Sequence, residues 1–185
     1  MKSYKIEVGA HKLGKLILAE NKENQYSGYI SYTFFEGKPG FRKGFLARLF
    51  ENKQEKKVND SIVVKNKLSD SLAKILILKL RKAGIDELMP CKDDDECARI
   101  NFLDPEFTTF VLTADGKSNY FEYASIGYPI SKFPEKTQLR RKVQHLVGIC
   151  ISEIDYSKEF KMAQEHLSKG NYFMPSSQGY LTFKR

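Results

Sequence analysis

Alternation of apolar and polar side chains with a period of two, interrupted twice by helical spacing, limits what this chain can fold into. Near the start, Tyr4, Ile6 and Val8 share one face and Ser3, Lys5 and Glu7 the other, the signature of a half-buried strand. Lys15 to Glu20 and Gln25 to Phe35 repeat the pattern across the polar connection Asn21-Lys22-Glu23-Asn24, which predicts an antiparallel meander. In the third run Tyr26, Ile30, Tyr32 and Phe34 face one way, against Ser27, Ser31 and Thr33. Ser61 to Lys65 reads as a further short strand.

The period then changes. Ser69 is a good helix N-cap, Asp70 suits the positive end of the helix dipole, and Leu72, Ile75, Leu76, Leu80 and Ala83 recur at helical spacing up to Gly84. The same succession follows again. Phe107 to Thr113 and Tyr120 to Ser125 flank Asp115-Gly116, a strong hairpin signal. Leu139, Val143, Leu146, Val147 and Cys150 or Ile151 mark a second helix, and Phe160, Ala163 and Leu167 a shorter one over 157–168. From Tyr172 onward the chain reads as turns with a final strand at Tyr180 to Phe183.

Strands then helix, followed by strands then helices, predict an α+β fold rather than a parallel doubly wound one. The expected architecture is a single α+β domain over 1–185, its antiparallel β-sheet built from two hairpin or meander units. Two main α-helices pack on one face, with a short third helix beside them. The alternative is two subdomains, 1–88 and 105–185, joined by an acidic loop at 89–104. A chain of 185 residues with 41% hydrophobic and 29% charged residues can build either.

Charge is segregated along the chain. Residues 36–67 carry nine Lys/Arg against four Asp/Glu, for +5, whereas residues 85–106 carry two against eight, for −6. Such lobes steer encounters with charged partners. The net charge of +8 admits nucleic acid, anionic lipid or an acidic protein as partner, and is equally the value of many lysine-rich proteins that bind none of these.

Motifs for chemistry are missing. His11, His145 and His166 stand in no nucleophile pattern, and His145 lies five residues before Cys150, on another side of the helical turn. Asp93-Asp94-Asp95-Glu96 lacks the alternate spacing and the glycine of a calcium loop. Cys91 and Cys97 flank that run without a second Cys/His pair, so a zinc site is not expected. They read as reduced thiols or an incidental redox pair. Gly37-Lys38-Pro39-Gly40-Phe41-Arg42-Lys43-Gly44 fails as a P-loop, because Lys43 precedes glycine and Pro39 removes an amide donor. No cofactor or metal is expected, and no catalytic residue is assigned.

The expected function is therefore a non-catalytic protein-binding domain, of the kind that small bacterial immunity or inhibitor proteins represent. Its acidic contacts would be Asp93, Asp94, Asp95 and Glu96. Nucleic-acid binding is the alternative, through the loop carrying Lys38, Arg42, Lys43 and Arg48 with Phe41 and Phe45, and through the helix start with Lys136, Arg140, Arg141 and Lys142. Arg140 and Arg141 flank the apolar stripe and are expected to face solvent. A third reading is an enzyme whose site assembles from distant residues such as Glu122, Tyr123 and His145. No apolar run is long enough for a membrane span, the N-terminus has no signal-peptide core, and three cysteines build no disulfide framework. The expected location is the cytoplasm.

Overall fold

The computed structural model describes residues 1–8, 14–37, 61–103, 105–127, 134–176 and 179–185. It is an α+β fold in which eight strands form one antiparallel sheet. The strands are β1 (Lys2–Glu7), β2 (Lys15–Glu20), β3 (Tyr26–Glu36), β4 (Ser61–Lys67), β5 (Phe107–Ala114), β6 (Lys117–Ala124), β7 (Asn171–Ser176) and β8 (Gly179–Lys184). The helices are α1 (Asp70–Lys82), α2 (Asp95–Ala98), α3 (Gln138–Glu153) and α4 (Tyr156–Glu165). Strand order is β6-β5-β1-β2-β3, so β1 pairs with strands from both halves of the chain. β4 pairs with one edge of β3, while β7 joins the opposite edge beyond β2 through Phe35 and Glu36.

Register puts the apolar set on one face. Leu112, Tyr4, Leu18 and Gly28 lie in one row across four strands, and Phe121, Phe110, Ile6, Leu16, Ile30 and Asn66 in the next. Over this face lie the buried stripes of α1, α3 and α4, in one continuous core. The opposite face carries Lys5, Ser27, Ser31, Thr33 and Glu122, in keeping with the period of two.

The α1 stripe is rotated from the expected one. Ala73, Leu76, Ile77 and Leu80 are buried, whereas Ile75 is exposed. Gly28 explains this, since a Cβ there would lie 2.8 Å from Leu18 Cδ2 and 3.4 Å from Ala73 Cβ. The missing side chain lets α1 settle on β3 through its smallest residue. Gly84, at φ +83°, ends the helix as its position predicts.

Two segments depart from the sequence reading. Asp115 and Gly116 both adopt positive φ, 50° and 79°, so the turn is tight and β6 begins at Lys117 rather than Tyr120. The C-terminal region forms the hairpin β7–β8 rather than a lone strand. Pro175 hides β7 from a propensity reading, although a sheet tolerates proline where its missing donor goes unused. Phe35, Phe173 and Tyr180 pack on the outer face of this hairpin, with ring centroids 5.2 and 5.3 Å apart.

Candidate docking surface

The acidic segment is an ordered structure. After α1 the chain makes a 3-10 turn at Ile85–Glu87, a second at Cys91–Asp93, and then the short helix α2. The turn at Cys91–Asp93 and α2 fold Cys97 back on Cys91, with Cα atoms 5.3 Å apart, and the two are joined by a disulfide. Of the two expectations for this pair, reduced thiols or an incidental redox pair, the bond overturns the first. Spacing alone hides it, because a gap of this length brings two cysteines together only when the chain between them turns. The free thiol is Cys150, buried under α3, where desolvation pushes its pKa up to about 12. It is a core residue.

The disulfide closes a ring around all four acidic residues of the predicted run. Asp94 points back and accepts a hydrogen bond from the Cys97 amide at 2.7 Å, capping α2. Asp93, Asp95 and Glu96 are exposed, and none forms an ion pair with a described residue. The ring is anchored beneath them: Cys97 is fully buried, and the turn at Cys91–Asp93 packs on β6.

Other acids of the segment differ. Asp86 accepts from Lys2 Nζ at 2.6 Å and from the Tyr4 hydroxyl at 3.0 Å, and Glu87 pairs with Lys142 at 3.2 Å. Tyr4 also accepts from Arg81 Nε at 2.9 Å, and Arg81 pairs closely with Glu20. The Arg81 hydrogen bond holds the Glu20 carboxyl below its ordinary range. This network ties the end of α1 to β1 and β2. It accounts for part of the negative lobe within the fold.

The basic helix start is partly internal as well. Arg140 was expected in solvent and is 2% exposed. Its Nε donates to Glu135 at 2.8 Å, Nη1 to the Ala124 carbonyl at 2.8 Å, and Nη2 to the Ser125 carbonyl at 2.9 Å and to Glu135 at 3.1 Å. One helical turn on, Gln144 donates to the Gly127 carbonyl and accepts from the Glu135 amide. Together they pin the end of β6 to the start of α3. A planar fork with several donors can satisfy carbonyls that solvent would otherwise reach, which is why an arginine is buried here. Lys136 and Arg141 remain exposed. Lys38, Arg42, Lys43 and Arg48 lie outside the described residues, as does His11.

Glu122, Tyr123 and His145 do not converge. Adjacent in β6, Glu122 and Tyr123 point to opposite faces; Tyr123 is buried and donates to the Met89 carbonyl at 2.7 Å, while Glu122 accepts from Tyr120 at 2.5 Å. His145 is exposed on α3. Among the described residues no group of three or more His, Cys, Asp or Glu could hold a metal ion, and no helix is long and apolar enough to cross a membrane.

Beside the acidic ring the surface turns apolar. Phe102 lies over the Arg140 guanidinium, 4.9 Å from ring centroid to its central carbon, and Leu103 stands fully exposed next to it. Ile100, Phe102 and Pro134 wall a groove of about 380 Å³ whose floor is the Arg140–Glu135 pair. Sequence reading passed over these residues because the charge of their neighbours dominates the segment. The visible signal was Phe102-Leu103, an apolar pair in a polar connection. Comparison with protein-family models, with curated proteins and with solved structures finds no match.

Proposed function

We propose that this chain is a protein-binding domain whose acidic ring docks on a cationic partner surface. The observation that carries the reading is a contrast within one segment. Asp86 and Glu87 are matched by Lys2, Arg81 and Lys142, whereas Asp93, Asp95 and Glu96 stand exposed on a covalently closed loop with no ion pair to a described residue. A rigid loop loses little conformational freedom when it binds, so clustered charge on it converts efficiently into encounter rate and register. Steric or electrostatic blocking of a partner, as in inhibitor or immunity proteins, is one role for such a surface.

The nucleic-acid reading draws less support. Arg140 and Lys142, two of its cations, are already engaged by Glu135 and Glu87. For the catalytic reading, its candidates Glu122, Tyr123 and His145 do not come together.

Affinity capture from an extract of the source cell, at low and high salt, tests the proposal with the wild type and the variant D93N/D95N/E96Q. A specific protein should be retained at low salt and insensitive to nuclease. Its affinity should fall roughly 10- to 100-fold in the variant, if each carboxylate contributes about 0.5–1 kcal/mol. Equal retention by the variant, or retention of nucleic acid alone, contradicts the proposal.

A further inference from the structure

We infer that the acidic ring and the neighbouring groove form one composite site for a short protein segment that pairs cationic residues with an aliphatic or aromatic anchor. The inference rests on the docking role proposed for the ring and specifies its partner. Four observations carry it.

Proximity is the first. Ile100 follows Cys97 by three residues and donates its amide to the Cys97 carbonyl at 3.2 Å, so the groove wall starts within about 11 Å of the ring along the chain. Met89, 42% exposed, precedes the ring, and Phe102 and Leu103, 36% and 101% exposed, follow it. Single exposed apolar residues are ordinary, but several beside one charged loop are characteristic of a contact surface.

Rigidity is the second. The Met89 carbonyl is held by the Tyr123 hydroxyl, Phe102 rests on Arg140, and Arg140 is bonded to the end of β6. Both margins of the site are thus fixed to the same strand.

Third is the groove itself. About 380 Å³ lies at the small end of ligand cavities, which suits one or two anchoring side chains rather than a large organic ligand. Its buried cation offers no free charge to an incoming group, because Glu135 and two carbonyls already occupy the guanidinium. An anchor entering it meets Ile100, Phe102 and Pro134, with Ser125 and the exposed Lys136 at its border.

Charge is the fourth. Asp93, Asp95 and Glu96 outnumber the exposed cations Lys92 and Arg99 beside them and make a net acidic rim next to a slot that Lys136 also borders; cations of a partner segment pair with the rim while its apolar side chain enters the slot. A partner of this composition satisfies both halves at once. Neither an acidic peptide nor a purely polar one does.

A random peptide library displayed on phage, selected on the immobilised full chain, provides the probe. Enriched clones should combine Lys or Arg with Leu, Ile, Met or Phe. Their synthetic peptides should bind the wild type at least tenfold more tightly than either Leu103→Ser or D93N/D95N/E96Q, with both variants retaining the wild-type melting temperature. Leu103 has no packing to lose, so its substitution leaves the fold intact. If the acidic variant loses binding and Leu103→Ser does not, the composite site is overturned while the docking role of the ring stands. If neither variant loses binding, both fall. Acidic or uncharged consensus sequences, no enrichment, or concentration-dependent self-association that saturates the site also overturn it.

Discussion

Arg140 shows how far a single residue can depart from its sequence context. A basic run, Arg140-Arg141-Lys142, begins α3, and helical spacing places Arg140 beside Leu139 and Val143. Such a position is a boundary, and burial depends on what the far end of the side chain finds. Here it finds Glu135 and the carbonyls of Ala124 and Ser125, partners supplied by the connection into the helix. Arg140→Ala leaves Glu135 half-buried without its counter-charge and should cost about 3–5 kcal/mol, whereas Arg141→Ala should stay within about 0.5 kcal/mol. Urea denaturation of the two variants measures the difference. Glu20 offers a pH test. Its pKa is lowered below the ordinary 4.5 by Arg81, so the folded state is favoured above that value and this contribution is lost as pH falls through the lower folded value. The stability difference between wild type and Glu20→Gln should therefore be constant near neutral pH and shrink below about pH 4.5. A difference that grows on acidification would contradict the assignment.

Strands and helices were legible wherever local chemistry and tertiary packing agree. Ser69, Thr137 and Asp155 cap α1, α3 and α4 by accepting from Leu72, Arg140 and Lys158 amides, and period-two alternation marks β1 to β3. Legibility failed where packing chose between local options. The α1 stripe turned toward Ala73 because Gly28 lies beneath it, and β7 formed despite Pro175 because Phe173 and Tyr172 have partners in β3 and β8. The acidic segment looked like a loop because its helical pieces are too short to show a period. Its disulfide spans a sequence separation of 6, and a ring of that size restricts the unfolded chain by about 2 kcal/mol. Cys91→Ser/Cys97→Ser should lower unfolding stability by about that amount, measured by urea denaturation without reductant, and adding dithiothreitol to the wild type should reproduce the loss. A wild type indifferent to reductant would show that the bond does not form in solution.

For the whole molecule, segregated charge resolves into two kinds. Much of it is internal: Lys2 and Arg81 meet Asp86 and Glu20, Lys142 meets Glu87, Lys79 meets Glu153, and Arg140 meets Glu135. Arg81 links α1 to β2, Lys2 links β1 to the turn after α1, and Lys79 links α1 to α3. Asp93, Asp95 and Glu96 on the ring form no ion pair with a described residue and lie beside an apolar groove and Leu103. That difference was not visible in the sequence, where Asp86 and Asp95 look alike; only the positions of Lys2 and Arg81 distinguish them. Hydrogen exchange of the chain, alone and with the protein it captures, tests the docking account most directly. Slowed exchange should centre on residues 89–103 and be absent from the outer sheet face around Lys5 and Ser31. Protection confined to that outer face, or none within 89–103, would contradict it.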